Sequence, residues 1–132
     1  FHVEAVDDPV PAIEAARSNA LRVGLALSPQ TPVDRVLPHL DAIDHVVVLA
    51  VRPGWAGQAF DAAALPKIRA LRDEVDRRDA RTEIHVDGGV NLETGRRCLD
   101  AGADVLVAAS AIFGTDDPGL AARELKSLTE AA

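Results

Sequence analysis

The sequence predicts an α/β fold in which parallel β-strands alternate with helices, and three observations support this prediction. Short apolar segments alternate with longer segments of helical periodicity along the whole chain. The strongest apolar segment, residues 45–51, is apolar at every position after its histidine, as in a parallel strand that is covered on both faces. Helices of roughly 10–15 residues between such strands are typical of βαβ units. Right-handed βαβ units build either an open doubly wound sheet or a (β/α) barrel.

The first 27 residues predict a strand, a helix and a second strand. Residues 1–6 alternate in a way that suits a strand. Asp8 and Pro9 form a helix-start signal, which favours a modest helix over residues 13–21. Residues 22–27 then form a short apolar strand.

The middle of the chain continues the same alternation. Thr31 is a suitable N-cap for a helix over residues 32–40. Pro32 suits the first helical position, because the N–H that proline lacks would have no partner there. The strand at residues 45–51 leads into a glycine-rich loop, residues 52–60. Apolar residues at helical spacing predict a long amphipathic helix over residues 62–78.

The last third predicts two more strands and two more helices. Residues 83–86 form a strand that ends in Asp87, and a helix follows over residues 91–100. Residues 104–108 form the last buried strand, and the segment 109–114 is a loop or a single turn. A final helix runs over residues 119–131.

Composition limits the class of protein. The length of 132 residues suits one compact domain, residues 1–132, and 48% hydrophobic residues provide enough material for a core. A single cysteine excludes an internal disulfide, and the net charge of −7 argues against a nucleic-acid partner. No apolar run reaches the ~18 residues that a membrane-spanning helix needs. We therefore expect a cytoplasmic metabolic protein with no membrane partner.

The segment EIHVDGGV carries the clearest chemical signal. Asp87 lies at the C-terminal end of a predicted buried strand, where a carboxylate is well placed for acid/base chemistry or metal binding. Gly88 and Gly89 follow at once and allow a sharp turn close to a ligand. A plain Asp-Gly turn at a strand end explains the octamer by itself equally well.

Three loops after consecutive strands strengthen the functional interpretation. They contain PGWAGQ, DGGV and ASAIFG, and in a parallel sheet they lie at the same edge. Backbone N–H groups from such loops, with the start of a short helix, can form a phosphate site. The residues that would build it are Gly54, Gly57, Gly88, Gly89 and Ser110.

Five motifs together resemble the ribulose-phosphate 3-epimerase family. They are LSPQTP, VLAVRPGWAGQAF, KIRALR, IHVDGGVN and AGADVLVAASAIF. The resemblance implies an eight-stranded (β/α) barrel that interconverts D-ribulose 5-phosphate and D-xylulose 5-phosphate. It also implies two aspartates and one divalent metal ion, for which Zn, Mn, Fe and Co are all candidates. The chain would hold the fourth to eighth β/α units and lack the first three.

The resemblance also assigns site residues. Asp87 matches the catalytic aspartate that binds the metal, while the second aspartate and two histidine ligands would lie on the missing strands. The chain has no Met and begins with Phe1, so we expect a piece of a longer polypeptide that is inactive alone. Its open edges would be covered by missing chain or by another subunit, which favours a homo-oligomer. The substrate and phosphate loops match Gly54, Trp55, Ala56, Gly57, Gly88, Gly89, Ala109 and Ser110.

Four positions depart from the family pattern. Trp55 and Ala56 stand where Phe and Gly are usual, Ala109 stands where Gly is usual, and Leu49 stands where Met is usual. Ala109 can keep its backbone N–H in place only if its φ is negative, since a left-handed conformation would be strained. These changes bear on phosphate geometry and turnover.

Two other readings of the chain stay open. One is a non-catalytic paralogue that binds a sugar phosphate or a protein, and the other is a different ketose-phosphate 3-epimerase. VDGGV together with PGWAGQ disfavours a hexulose-phosphate synthase. His2 and Glu4 are interpreted as polar residues of the barrel interior that do not bind metal, and His85 as a hydrogen-bonded core histidine.

Overall fold

A computed structural model describes residues 1–55 and 57–130. It contains one parallel four-stranded sheet in the order β1-β2-β3-β4, with helices between the strands. The architecture is therefore the predicted repetition of β/α units. The strands are β1 (Gly24–Leu27), β2 (His45–Leu49), β3 (Glu83–Asp87) and β4 (Val105–Val107), and the helices are α1 (Val10–Ser18), α2 (Ala64–Arg78), α3 (Leu92–Asp100), α4 (Ser110–Phe113) and α5 (Pro118–Glu130).

The two faces of the sheet differ in burial. Leu25, Val46 and Ile84 are fully buried on the face that packs against the helices. Their neighbours on the opposite face, among them Val47 and His85, are only half-buried. The sequence pattern of β2 predicts cover on both faces, whereas within residues 1–55 and 57–130 the second face is partly open.

The predicted strand at residues 1–6 is wrong. Contact with the sheet stops after two residues: His2 forms a parallel bridge with Ala26, and Phe1 donates to the Gly24 carbonyl at 2.9 Å and accepts from the Ala26 N–H at 2.8 Å. Val3–Ala5 then forms a 3₁₀ turn. The turn is closed by the Ala5 N–H, which donates to the His2 carbonyl at 3.0 Å. Glu4 also turns toward the loop after β1, where its carboxylate accepts a bond from the Ser28 N–H at 2.8 Å. These contacts replace the strand pairing that the alternating pattern predicts.

The predicted helix at residues 32–40 is also wrong in type. The segment forms two 3₁₀ helices, Val33–Arg35 and Leu37–Ala42. Pro38 accounts for the loss of a continuous α-helix, because it has no N–H to donate to the Asp34 carbonyl. It lies instead in the first turn of the second 3₁₀ helix, where a missing N–H costs little.

The remaining helices and strands lie within a few residues of the predicted positions, except that α1 begins earlier than predicted, at Val10. The predicted burial of the last strand is wrong, because Val105 and Leu106 of β4 are half-buried and Val107 is exposed. The start of α3 is fixed by a capping box, in which the Asn91 side chain accepts bonds from the Glu93 and Thr94 N–H groups. Such caps pair N–H groups that would otherwise lack acceptors in the first turn. Among the described residues, no helix is long and apolar enough to cross a bilayer.

Candidate active site

The C-terminal ends of three strands lie side by side. Leu49 on β2 is in register with Asp87 on β3, and Asp87 is in register with Val107 on β4. The loops that follow these strands therefore meet at one edge of the sheet. They enclose a cleft of about 420 Å³, and among the described residues the ionisable ones that line it are His2, Arg52 and Asp87.

Asp87 is the last residue of β3 and is half-buried in the wall of this cleft. Its backbone carbonyl accepts a hydrogen bond from the Ala50 N–H at 2.8 Å, which ties the strand end to β2. Within the part of the chain that the structure describes, its carboxylate forms no hydrogen bond or ion pair. The main chain is thus fixed, and the carboxylate remains available to a ligand.

The two glycines after Asp87 form a turn that neighbouring residues hold in place. Gly88 and Gly89 have φ angles of 110° and 63°, which suit glycine. The Thr94 hydroxyl donates to the Gly89 carbonyl at 2.8 Å, so the first turn of α3 anchors the turn. On the other side, Gly89 packs directly against the backbone of Phe60.

The glycine-rich loop after β2 is closed by Gln58. Its side-chain amide donates to the Arg52 carbonyl at 2.7 Å and to the Trp55 carbonyl at 3.0 Å. Gly54, Trp55 and Gly57 from this loop line the cleft, and Trp55 is 68% exposed. Ala56 lies outside the described residues.

The third loop brings Ala109 and Ser110 to the cleft. Ala109 has a φ of −121°, so it avoids the left-handed backbone that only glycine adopts readily. Ser110 begins the short helix α4 that the sequence suggests as a single turn. A neighbouring cavity of about 380 Å³ shares Gly57, Gly89 and Ser110 with the cleft.

Several backbone N–H groups around these cavities have no acceptor. Among the residues that the structure describes, those of Gly88, Gly89, Ser110 and Ala111 form no hydrogen bond. Unpaired N–H groups near a cavity are suited to bind an anion such as phosphate.

Sequence reasoning missed two residues of the cleft. Arg52 is exposed and lines it, although the sequence analysis treats it only as part of a glycine-rich loop. Its position directly before the Pro-Gly turn is the available sequence signal. The sequence predicts His2 as a polar residue of the interior, and the structure places it at the cleft.

The open face of the sheet also carries a histidine stack away from the cleft. The rings of His45 and His85 are stacked, with centroids 4.7 Å apart. Gly24 makes room for them, since a Cβ there would lie 2.1 Å from Nε2 of His45. His85 pairs with Glu83 at 3.1 Å, so the predicted hydrogen bond is present, but the ring is half-buried on the open face and does not belong to the core. Nδ1 of His45 is buried and has no partner among the described residues.

We expect His45 to make stability pH-dependent. Burial lowers its pKa, and the charges of His85 and Arg22 lower it further against the opposing effect of Asp44. Because the unfolded state then binds more protons near its ordinary value of about 6.5, the free energy of unfolding should fall between about pH 7.5 and about pH 5.5. Urea unfolding at both pH values should show this loss, and His45→Leu should reduce it. His39→Gln, which lies outside the stack, serves as the control, and an equal reduction there would refute the assignment to His45.

Comparison with known proteins identifies the family of the chain. A sequence model of the ribulose-phosphate 3 epimerase family matches residues 1–113. The chain belongs to this family. The match confirms the family suggested by the sequence motifs, which is a family of isomerases.

Curated epimerases cover the whole chain or most of it. The ribulose-phosphate 3-epimerase of Methanocaldococcus jannaschii is 44% identical over 132 residues, which are 100% of this chain and 55% of that protein. That of Mycobacterium bovis is 37% identical over the same length, 58% of its own. That of Schizosaccharomyces pombe is 39% identical over 118 residues, 89% of this chain and 50% of that protein. The chain thus spans about half the length of these epimerases.

A solved structure supports the fold. Thiamine phosphate pyrophosphorylase from Pyrococcus furiosus superimposes with a TM-score of 0.62 at 22% identity, over 90% of this chain and 55% of that one. At this level of identity the likeness concerns architecture alone. It agrees with a partial (β/α) barrel built from consecutive β/α units.

The metal expected for an epimerase needs ligands that the described residues do not supply. No group of three or more His, Cys, Asp or Glu side chains in residues 1–55 and 57–130 is placed to hold a metal ion. Of the residues that the structure describes around the cleft, Asp87 contributes one carboxylate and His2 one imidazole, and no other His, Cys, Asp or Glu lines it. The residues present therefore do not form a metal site by themselves.

Proposed function

We propose that this chain carries the phosphate-binding loops and one proton-transfer group of a ribulose-phosphate 3-epimerase. The substrates would be D-ribulose 5-phosphate and D-xylulose 5-phosphate. One observation carries the proposal: the Asp87 carboxylate, which has no protein partner among the described residues, lines the same cleft as the N–H-bearing loops. Family membership supports the choice of reaction.

The phosphate group would be bound by backbone N–H groups of Gly88, Gly89 and Ser110. Their acceptors would be the phosphate oxygens, and no side-chain charge is needed for this contact. Arg52 adds a positive charge to the wall of the same cleft. Together these groups would hold the phosphorylated end and direct the sugar toward Asp87.

Asp87 would act on the carbon next to the ketose carbonyl. Its carboxylate removes the proton from C3, and the electron pair of that bond moves toward the carbonyl to give an enediolate. Inversion requires that a second acid return a proton to the opposite face. Among the described residues no second carboxylate lines the cleft, so this acid would come from elsewhere in the native protein.

We also propose that the native protein binds a divalent metal ion, for which Zn, Mn, Fe and Co are candidates. The steps described above do not depend on it. Asp87 would be the ligand that this chain contributes. A homo-oligomer and a cytoplasmic location likewise stay predictions.

The proposal is tested by NMR of D-ribulose 5-phosphate in D₂O with the native protein. We expect xylulose 5-phosphate to form with one deuterium at C3, because the removed proton exchanges with solvent. A parallel reaction with a hexulose 6-phosphate separates this activity from that of another ketose-phosphate 3-epimerase. A further reaction with a chelator tests whether the activity depends on a metal ion. Binding of ribulose 5-phosphate without exchange would instead support a non-catalytic paralogue.

A further inference from the structure

One wall of the cleft carries an imidazole that the proposed reaction does not use. The bridge to Ala26 holds the backbone of His2 against β1, and its side chain lines the cleft together with Asp87. The His2 side chain is 41% exposed, so a ligand in the cleft can reach the ring.

Glu4 fixes the orientation of this ring. Its Oε2 atom lies 3.2 Å from Nδ1 of His2, and its Oε1 atom accepts bonds from the Ser28 N–H and the Thr31 hydroxyl. Burial by itself raises the pKa of Glu4, but these hydrogen bonds outweigh it and lower the pKa to about 2. The carboxylate is therefore ionised and accepts only, which places the proton of a neutral His2 ring on Nδ1. Nε2 is left with its lone pair.

Lys67 on α2 secures the loop that holds Glu4. Its ammonium group donates to the carbonyls of Ser28, Pro29 and Thr31 at 3.1, 2.5 and 2.5 Å. All three donors of the ammonium group are thus used on one short loop. Glu4 therefore orients His2, and the loop that Lys67 anchors holds Glu4. Such supporting contacts are typical of side chains that must present one atom to a ligand.

We propose that His2 contacts the substrate, with Nε2 accepting a hydrogen bond from a sugar hydroxyl group, and that Glu4 is its positioning residue. This inference rests on the proposed function for the nature of the ligand. The Nε2 lone pair of the ring would orient the sugar while Asp87 acts on C3.

The tautomer of His2 provides the first test. Imidazole ¹⁵N spectra of the native protein should show His2 protonated at Nδ1, and D-ribulose 5-phosphate should shift its Nε2 signal. Glu4→Gln should abolish the fixed tautomer. Thr31→Val is the matched control, since it removes one bond to Glu4 but keeps the Glu4–His2 contact, and it should leave the tautomer unchanged. Equal changes in both variants would mean that Glu4 only stabilises the loop, and the inference would fail.

Kinetics provide the second test. His2→Phe keeps a ring of similar size and removes the acceptor, so kcat/KM should fall about tenfold. Glu4→Gln should produce a smaller loss, and Glu14→Gln, at an exposed glutamate of α1 that does not line the cleft, should produce none. If epimerisation proceeds and His2→Phe turns over normally, the inference fails and the proposed function stands. If ribulose 5-phosphate shifts the His2 signal without any exchange at C3, the proposed function fails and the contact stands.

Discussion

Asp87→Asn should lower epimerase turnover of the native protein by roughly 10²–10⁴-fold, the range for loss of a positioned acid/base group. Asparagine has nearly the same shape and cannot remove a proton from C3. The fold should persist, because the Asp87 side chain forms no hydrogen bond with any described residue, and its backbone bond to Ala50 is independent of the substitution. The measurement is the rate of deuterium incorporation at C3 together with urea unfolding.

Asp73→Asn is the control for this prediction. Asp73 is an exposed carboxylate on α2 and does not line the cleft, so its removal changes net charge equally and should leave turnover intact. Near-normal turnover of Asp87→Asn would exclude Asp87 as the proton-transfer group. Loss of folding in that variant would show that the carboxylate has a structural role.

Gly89→Ala should cost about 2–4 kcal/mol of unfolding free energy and abolish binding of ribulose 5-phosphate, from left-handed strain and overpacking together. The φ of Gly89 is 63°, and a Cβ there would lie 2.5 Å from the backbone N of Phe60. The backbone of Gly89, of Phe60 or of both must therefore move. Since these two loops form the wall that is proposed to bind phosphate, stability and binding should fall together.

Gly57→Ala is the matched control. Its φ of 82° imposes similar backbone strain, but a Cβ at this position meets no described atom within 4 Å. The expected cost is therefore only about 1–2 kcal/mol. Chemical unfolding and calorimetric titration with ribulose 5-phosphate measure both effects. If the two variants lose equal stability, packing against Phe60 is not what fixes the Gly89 turn.

The sequence predicted most of the framework because local signals and tertiary demands agree there. The β-branched run of β2 and the helical spacing of α2 each specify one conformation. At Glu4 and Pro38, the local sequence signals and the tertiary contacts favour different conformations. Alternation around Glu4 suits a strand, but bonds to the loop at residues 28–31 favour a turn. Thr31 and Pro32 predict the start of an α-helix, but Pro38 prevents its continuation, and the segment forms two 3₁₀ helices.

The site was predictable where its residues form contiguous motifs. DGGV and PGWAGQ place Asp87 and the glycines at strand ends, and parallel strands bring such ends to one edge. His2 and Arg52 could not be assigned in this way, because their place on the cleft wall depends on how distant segments pack. The bond from Gln58 to the Arg52 carbonyl is likewise a product of the folded loop.

The sequence by itself determined the α/β class, the order of the β/α units, and the position of a carboxylate followed by two glycines at a strand end. These features depend on periodicity and turn chemistry within a few neighbouring residues. Only the tertiary structure decided that Leu49, Asp87 and Val107 lie in register, and that Glu4 holds His2 at the same cleft. Register and side-chain orientation depend on contacts between residues far apart in the chain, and local sequence does not encode them.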